Sequence, residues 1–289
     1  MQINGDIEMN KFLGAIAVTA CLAMIGCAST SEPAVYDSSH SRAYNIARAG
    51  GLYDVKDKKV PRAAYESLSF TGDAAANTLL FTSSAGLGMS LSEGFGIGLL
   101  TAALENPDPA QRNSIVAWMP QSEAESPAQA QKLLLNQVTK AMSETLDELG
   151  VGYEKTSATD DETTEFYFYS NALGCPQYEQ GMTNRDLCYV RAQIIEPYVH
   201  ASPDFVESST QAYTFSSNHK YRYHRFKVTP GKTATLPLEQ IYASVSKKLP
   251  EWVYLYIASG NLQFGEQSVT VPYLLEQGQP HLFITQDDS

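Results

Sequence analysis

The hydropathy pattern predicts an α+β fold with a mainly antiparallel sheet and two principal helices, at about 127–149 and 237–248. Two amphipathic stretches carrying their own start and stop signals supply the helices. Short alternating or continuous apolar runs, separated by turn residues, supply the strands. Long loops and hairpin-like neighbours favour antiparallel pairing over a doubly wound parallel sheet.

In chain order, 42–49 forms one or two helical turns stopped by Gly50 and Gly51, and 63–68 is a second short helical candidate after Pro61. The stretch 85–104 is apolar, with Gly86, Gly88, Gly94, Gly96 and Gly98 and a single charge at Glu93. Its spacing is not Gly-x-Gly-x-x-Gly and no Gly-Lys-Ser/Thr follows directly, so a phosphate loop is not expected. Closely spaced glycines also weaken a membrane helix. An element packed on the core is expected here, with contact to lipid or a partner as the second reading.

A strand at 114–119 ends at Pro120. Ser126, Pro127 and Gln129 then supply an N-cap, a first-turn proline and a capping box. The helix runs to Leu149 with Gly150 as its left-handed stop, and Leu135, Val138, Met142, Leu146 and Leu149 are spaced for burial. Strands at 152–156 and 166–169 make a hairpin with Asp160, Asp161 and Glu162 at its tip. Further strands are expected at 188–195, 213–216 and 221–228. In the last, Tyr221, Tyr223, Arg225 and Lys227 share one face, and Arg222, His224, Phe226 and Val228 the other.

In the second helix Leu238, Ile241 and Val245 point inward, with Ser244 and Ser246 beside them. Lys247 and Lys248 suit the C-terminal dipole, and Pro250 ends the helix. A strand at 252–257 places Trp252, Tyr254 and Tyr256 on one face, and 282–285 closes the sheet. No low-complexity linker interrupts 60–285, so 41–289 reads as a single domain.

The 289 residues are 43% hydrophobic and 18% charged, a globular composition. Twenty Lys and Arg against 32 Asp and Glu give a net charge of −12, unsuited to a nucleic-acid backbone.

Residues 9–27 carry the most specific motif. Lys11 precedes an apolar run at 12–25, shorter than the roughly 20 residues a membrane span needs. The run ends in Met24-Ile25-Gly26-Cys27 and turns polar at Ser29. This segment resembles the lipobox signal peptide of bacterial lipoproteins, with Met24 where Leu is more usual. The resemblance implies removal of 1–26 and acylation of Cys27, palmitate included. Asp6 and Glu8 suit such a signal poorly, so Met9 reads as the start and 1–8 as a mis-assigned extension. Ala28, in place of Asp, implies the outer membrane, facing the periplasm. Residues 27–40 would then be the lipidated Cys and a flexible Ser-rich tether.

Cys21 lies inside the signal, which leaves Cys175 and Cys188, twelve residues apart, as an expected disulfide of an oxidising compartment. The nearest histidine in sequence is His200, and metal pairs stand closer, so no metal site is expected. The loop between them, with Gly181 and Asn184, could hold a recognition segment still.

Few residues suggest catalysis. His219 and His224 point to opposite faces of a strand and read as exposed. Asp160, Asp161, Glu162 and Glu165 lack calcium-loop spacing and read as a solvated tip. Ser-x-x-Lys occurs at 217–220 and 244–247 without companion motifs, and reads as coincidence. No catalytic residue or cofactor is expected. Among seventeen Tyr, many fall on strands. Together with two arginines they give a candidate binding face of Tyr221, Arg222, Tyr223, Arg225, Trp252, Tyr254 and Tyr256. The leading expectation is an outer-membrane lipoprotein acting as a non-catalytic envelope accessory or adaptor, held by its acyl chains and binding an envelope protein or glycan. A glycan- or peptidoglycan-binding module on the Tyr-rich strands is second, and an envelope hydrolase with a fold-assembled site third.

Overall fold

Ser114–Pro120 (β2) alternates Ile115, Ala117 and Met119 against Val116 and Trp118, and all five are buried. A strand apolar on both faces must be covered on both. The computed structural model shows how, over residues 33–62, 65, 109–157, 162–217, 223–264 and 267–287. Cys27 and the signal segment, most of 63–68, the Gly-rich 85–104, Asp160 and Asp161, and His219, Lys220, Tyr221 and Arg222 lie outside the described residues.

The fold is α+β, with three α-helices among the described residues and a ten-stranded sheet whose pairings are all antiparallel. The helices are Arg42–Ala49 (α1), Pro127–Glu148 (α2) and Leu238–Lys247 (α3). Lys58–Val60 (β1) stands outside the large sheet. After β2 come Gly152–Ser157 (β3), Thr163–Tyr169 (β4), Cys188–Gln193 (β5), Tyr198–Ala201 (β6), Gln211–Phe215 (β7) and Arg225–Thr229 (β8). Val253–Phe264 (β9), Gln267–Glu276 (β10), Gln279–Leu282 (β11) and Ile284–Gln286 (β12) complete the chain. The sheet order is β11-β10-β9-β2-β8-β5-β4-β3, and β7 with β6 branches from β2. Two strands share one flank of β2: Ser114 pairs with Arg225 of β8, while 117–120 pairs with β7. Leu282 thus ends an edge strand, and 284–286 pairs in parallel with β1 in a separate ribbon rather than closing the sheet.

The front of the sheet lies under α2 and α3. Leu134, Val138, Met142, Ile241 and Val245 pack there against Ile115, Phe166, Phe226 and Leu255. On the back, α1 and the loops around it bring Ile46, Leu52, Val206 and Phe283 onto Val116, Trp118, Tyr254, Tyr256 and Leu274. This back layer covers β2, β9 and β10; no described helix or strand covers the back of β3, β4, β5 and β8.

Local signals account for the helices. Ser126 Oγ accepts the Gln129 N–H at 3.2 Å, while Gln129 Oε1 accepts the Glu125 N–H at 2.8 Å, so the reciprocal arm closes one residue earlier than a standard capping box. Gly150 takes φ +64°, as a helix stop requires. Leu149, expected in the buried stripe, is exposed because it sits at the C-cap beyond the last turn; Leu134 is buried instead. Gly50 closes α1 against β2, where a Cβ would stand 2.5 Å from Val116 Cγ1. The expected tether is shorter than 27–40, since Tyr36 rests on Phe205 and the Asp37 N–H donates to Asn45 Oδ1 at 2.8 Å.

Cys175 and Cys188 form a disulfide with Cα atoms 5.5 Å apart. The loop it staples is also held to Lys232 by that residue's N–H to Arg185 O, and the turn just before it by Thr235 N–H to Leu173 O, each 3.0 Å. Replacing both cysteines by alanine should lower unfolding stability by about 3 kcal/mol, read as a fall in urea midpoint with a somewhat larger m-value, because the unfolded chain without its crosslink exposes more surface.

His224, expected to be exposed, is buried against Phe215 because β8 begins at the fork beside β2. Its Nδ1 accepts the Ile195 N–H at 3.3 Å, and burial lowers its pKa from 6.5 to about 3. Arg42 grips Glu276 through two hydrogen bonds of 2.7 and 2.6 Å, and His281 adds a contact at 2.9 Å. Burial would raise the Glu276 carboxyl, but the hydrogen bonds from Arg42 and His281 outweigh it and hold the pKa at about 2, below 4.5. Both groups bind protons more readily when unfolded, so each costs stability as pH falls. The His224 contribution is complete above 6.5 and lost toward 3; that of Glu276 is complete above 4.5 and lost toward 2. The melting temperature should therefore fall on acidification. His224→Phe should flatten the upper window and Arg42→Met the lower, checked by calorimetry across pH.

Candidate binding face

Strands β4, β5 and β8 each place alternate residues in the front core, through Phe166, Phe168, Val190, Ala192, Phe226 and Val228. The other alternate residues face the uncovered back, and the register sets them in rows. Glu154, Tyr167, Tyr189 and Thr229 form one row; Glu165, Arg191 and Lys227 form the next; Thr163, Gln193 and Arg225 form a third.

Glu165 organises the centre. Its carboxylate accepts Arg191 Nε at 2.9 Å and Nη2 at 2.7 Å, and Tyr167 Oη donates to it at 2.9 Å. Burial raises the Tyr167 phenol pKa, and the hydrogen bond to Glu165 raises it further, so the phenol stays protonated. Tyr167 and Tyr189 lie 5.7 Å apart, tilted by 42°, and Arg191 stands 5.8 Å from the Tyr189 ring centre. At the edge, Tyr169 lies across Gly152, where a Cβ would come within 2.2 Å of the ring. Glycine here leaves room for the ring, and Tyr169 remains 39% exposed.

Where the open back meets the covered half, Tyr223 is flanked by two guanidinium groups. Arg112 stands 3.5 Å from its ring centre and Arg225 5.2 Å, and Arg225 Nε donates to Tyr223 Oη at 3.1 Å. Both distances fall within cation–π range.

The structure brings Tyr223 and Arg225 together on this face, whereas Tyr221 and Arg222 lie outside the described residues. Trp252, Tyr254 and Tyr256 do not belong to it: they are 7%, 0% and 1% exposed. Strand β9 sits mid-sheet between helices, so Tyr254 and Tyr256 pack into the back core and Trp252, just before the strand, into the front core. The face read from the sequence did not include Tyr167, Tyr189, Arg191 or Arg112, and Glu165, read as part of a solvated tip, is only 9% exposed because Arg191 and Tyr167 bond its carboxylate. The Tyr-Val-Arg-Ala-Gln alternation of β5 carried the same period-two signal as β8, but only register joins the two.

Two other constellations resemble catalytic groups and act structurally. His40 Nδ1 and Ser41 Oγ both bond Asp57, at 3.0 and 2.5 Å, so the carboxylate, not the imidazole, is the hub, and Ser41 Oγ also caps α1 by accepting the Tyr44 N–H. Ser244 Oγ lies 2.7 Å from Lys248 Nζ, not Lys247, but Lys248 is also 2.7 Å from Glu148 Oε2. Hydrogen bonds from Lys248 and Ser244 lower the Glu148 pKa, so Lys248 ties α3 to the end of α2. Ser217 is fully buried and donates to Ile115 O. Among the described residues no group of three or more His, Cys, Asp or Glu could hold a metal ion, and no helix is long and apolar enough to cross a membrane.

Tyr254→Ala should destabilise the protein by about 3–5 kcal/mol, as removal of a buried aromatic does. Lys227→Ala, exposed on the open face, should change stability by no more than about 0.5 kcal/mol. Parallel urea titrations check the contrast.

No protein-family model matches the chain, and neither a characterised protein nor a solved structure is similar to it.

Proposed function

We propose that the chain is a non-catalytic accessory of the cell envelope, anchored by acyl chains on Cys27 in the outer membrane, which binds another envelope component through the open back of β3, β4, β5 and β8. One observation carries this reading: among the described residues the front of the sheet and the back of β2, β9 and β10 lie under other elements, while the back of β4, β5 and β8 carries Tyr and Arg side chains. Residues of these types are enriched where proteins recognise partners. The disulfide suits an oxidising compartment. Acyl chains contribute about 0.8 kcal/mol per buried CH₂, so the body itself needs no amphipathic membrane helix.

A photoreactive amino acid at Lys227 of the full-length protein in living cells should capture a discrete envelope component. The same probe at Asn136, on the exposed side of α2, should not. Cys27→Ser should release the protein from the membrane fraction. Equal capture from the two positions would refute the face, and a Cys27→Ser protein that still sediments with membranes would refute the anchor.

A further inference from the structure

Strand β6 pairs with β7 on one side, and among the described residues no strand pairs with its other side. The two ends of the large sheet are guarded, as open edges usually are. Strand β3 exposes Glu154 and Lys155, and α3 packs against β11. Strand β6 carries no carboxylate, lysine or arginine, and its Tyr198 and Val199 are 48% and 45% exposed. Burial, and then the nearby phenol of Tyr53, raise the Tyr198 pKa, which places Tyr53, itself exposed, close to it. Exposed apolar side chains on an unguarded edge mark a pairing surface.

The backbone and sequence of this edge fit a second copy of the chain. In an antiparallel ladder, alternate residues turn their N–H and C=O groups to alternate sides. The Ser202 N–H donates to Thr210 O at 3.1 Å, so His200 and Tyr198 also turn toward β7, and Val199 and Ala201 turn outward. A two-fold axis through Val199, normal to the sheet, keeps front on front and back on back. Val199 then exchanges both hydrogen bonds with Val199 of the second copy, and Tyr198 falls opposite His200. The same two rings already meet edge-to-face within one chain, 5.9 Å apart at 86°. Ala201 falls opposite Pro197. Pro197 has no N–H to donate, and the Ala201 carbonyl that would receive it already accepts from His200 Nδ1 at 3.0 Å. The nearest charge, Glu196, falls opposite Ser202, so no like charges meet across the axis. An unrelated strand would match these features only by chance.

Going beyond the proposed function, which concerns a different face, we infer that the chain self-associates as a two-fold dimer through antiparallel pairing of β6 with β6. The net charge of −12 opposes the approach of two copies, so the contact strengthens as salt screens that repulsion.

The test follows the mass of the full-length protein in detergent by light scattering over a dilution series. Two chains per particle are expected at high concentration, and a larger share of such particles with added salt. Val199→Lys and Val199→Glu each set like charges directly opposite one another and should weaken association by roughly 5-fold. Mixing the two variants should restore it, because each pair then holds opposite charges, and a misfolded variant could not be restored in this way. Val199→Cys should oxidise to a covalent dimer, since paired Cα atoms about 5.5 Å apart suit a disulfide. Lys247→Cys, on α3 at the other flank of β2, should not. One chain per particle in the unaltered protein at every concentration and salt overturns the inference. So does association that is unchanged in both charged variants, or a mixture of them that associates no better than either alone. A covalent dimer from position 247 but not from position 199 places the contact elsewhere and overturns it as well.

Discussion

The two-sided apolar character of β2 and β9 is the constraint on which the remainder of the structure depends. Ile115, Ala117 and Leu255 on one side and Val116, Trp118, Tyr254 and Tyr256 on the other are all nearly inaccessible. One helix layer cannot satisfy such strands. Among the described residues, the front receives α2 over β3, β4 and β5 and α3 over β9, β10 and β11, whereas the back receives a single short helix and its loops. Because α1 is only eight residues long, its shelter ends near β2. The outer strands answer with a different chemistry, apolar toward the front and polar or aromatic toward the back. Among the described residues, the candidate binding face is thus what remains when a short helix covers a wide sheet.

Close packing makes that partial cover specific. Gly50 lets the end of α1 touch Val116, and its carbonyl accepts the Ser217 N–H and Ser216 Oγ from the segment leading out of β7. Ser217 in turn donates to Ile115 O. The first helix, the central strand and the fork between β7 and β8 therefore meet around one carbonyl. The same fork buries His224 and delivers Tyr223 and Arg225 to the open side. Core and face are set by one junction, and a change there alters both.

Much of the fold is legible in the sequence because its signals are local. Ser126, Pro127 and Gly150 mark α2, and Gly50 ends α1 as expected. The hairpin of β3 and β4 follows from alternation. The disulfide was deducible from compartment and count. Other features depend on contacts far apart in sequence. Nothing local distinguishes Tyr254, which is buried, from Tyr189, which faces out; both alternate in a strand, and only the identity of the covering layer separates them. The fork on β2 had no signature either, so His224 was misplaced. Half of the candidate face was readable, since Tyr223 and Arg225 alternate correctly. The central Glu165–Arg191–Tyr167 group needs three strands in register, which a single sequence does not supply.

The grip of Arg42 on Glu276 has a mechanical consequence. A pull applied at the N-terminus meets the Tyr36 contact with Phe205 and then Asp37, whose backbone makes two hydrogen bonds with the Asn45 side chain. It then passes to Arg42, whose paired hydrogen bonds span 234 residues of sequence to the end of β10. Tension on the leading segment is thereby transmitted into the hydrogen-bonded ladder of the large sheet instead of unwinding α1 turn by turn. That pair ties the first helix to the far end of the sheet.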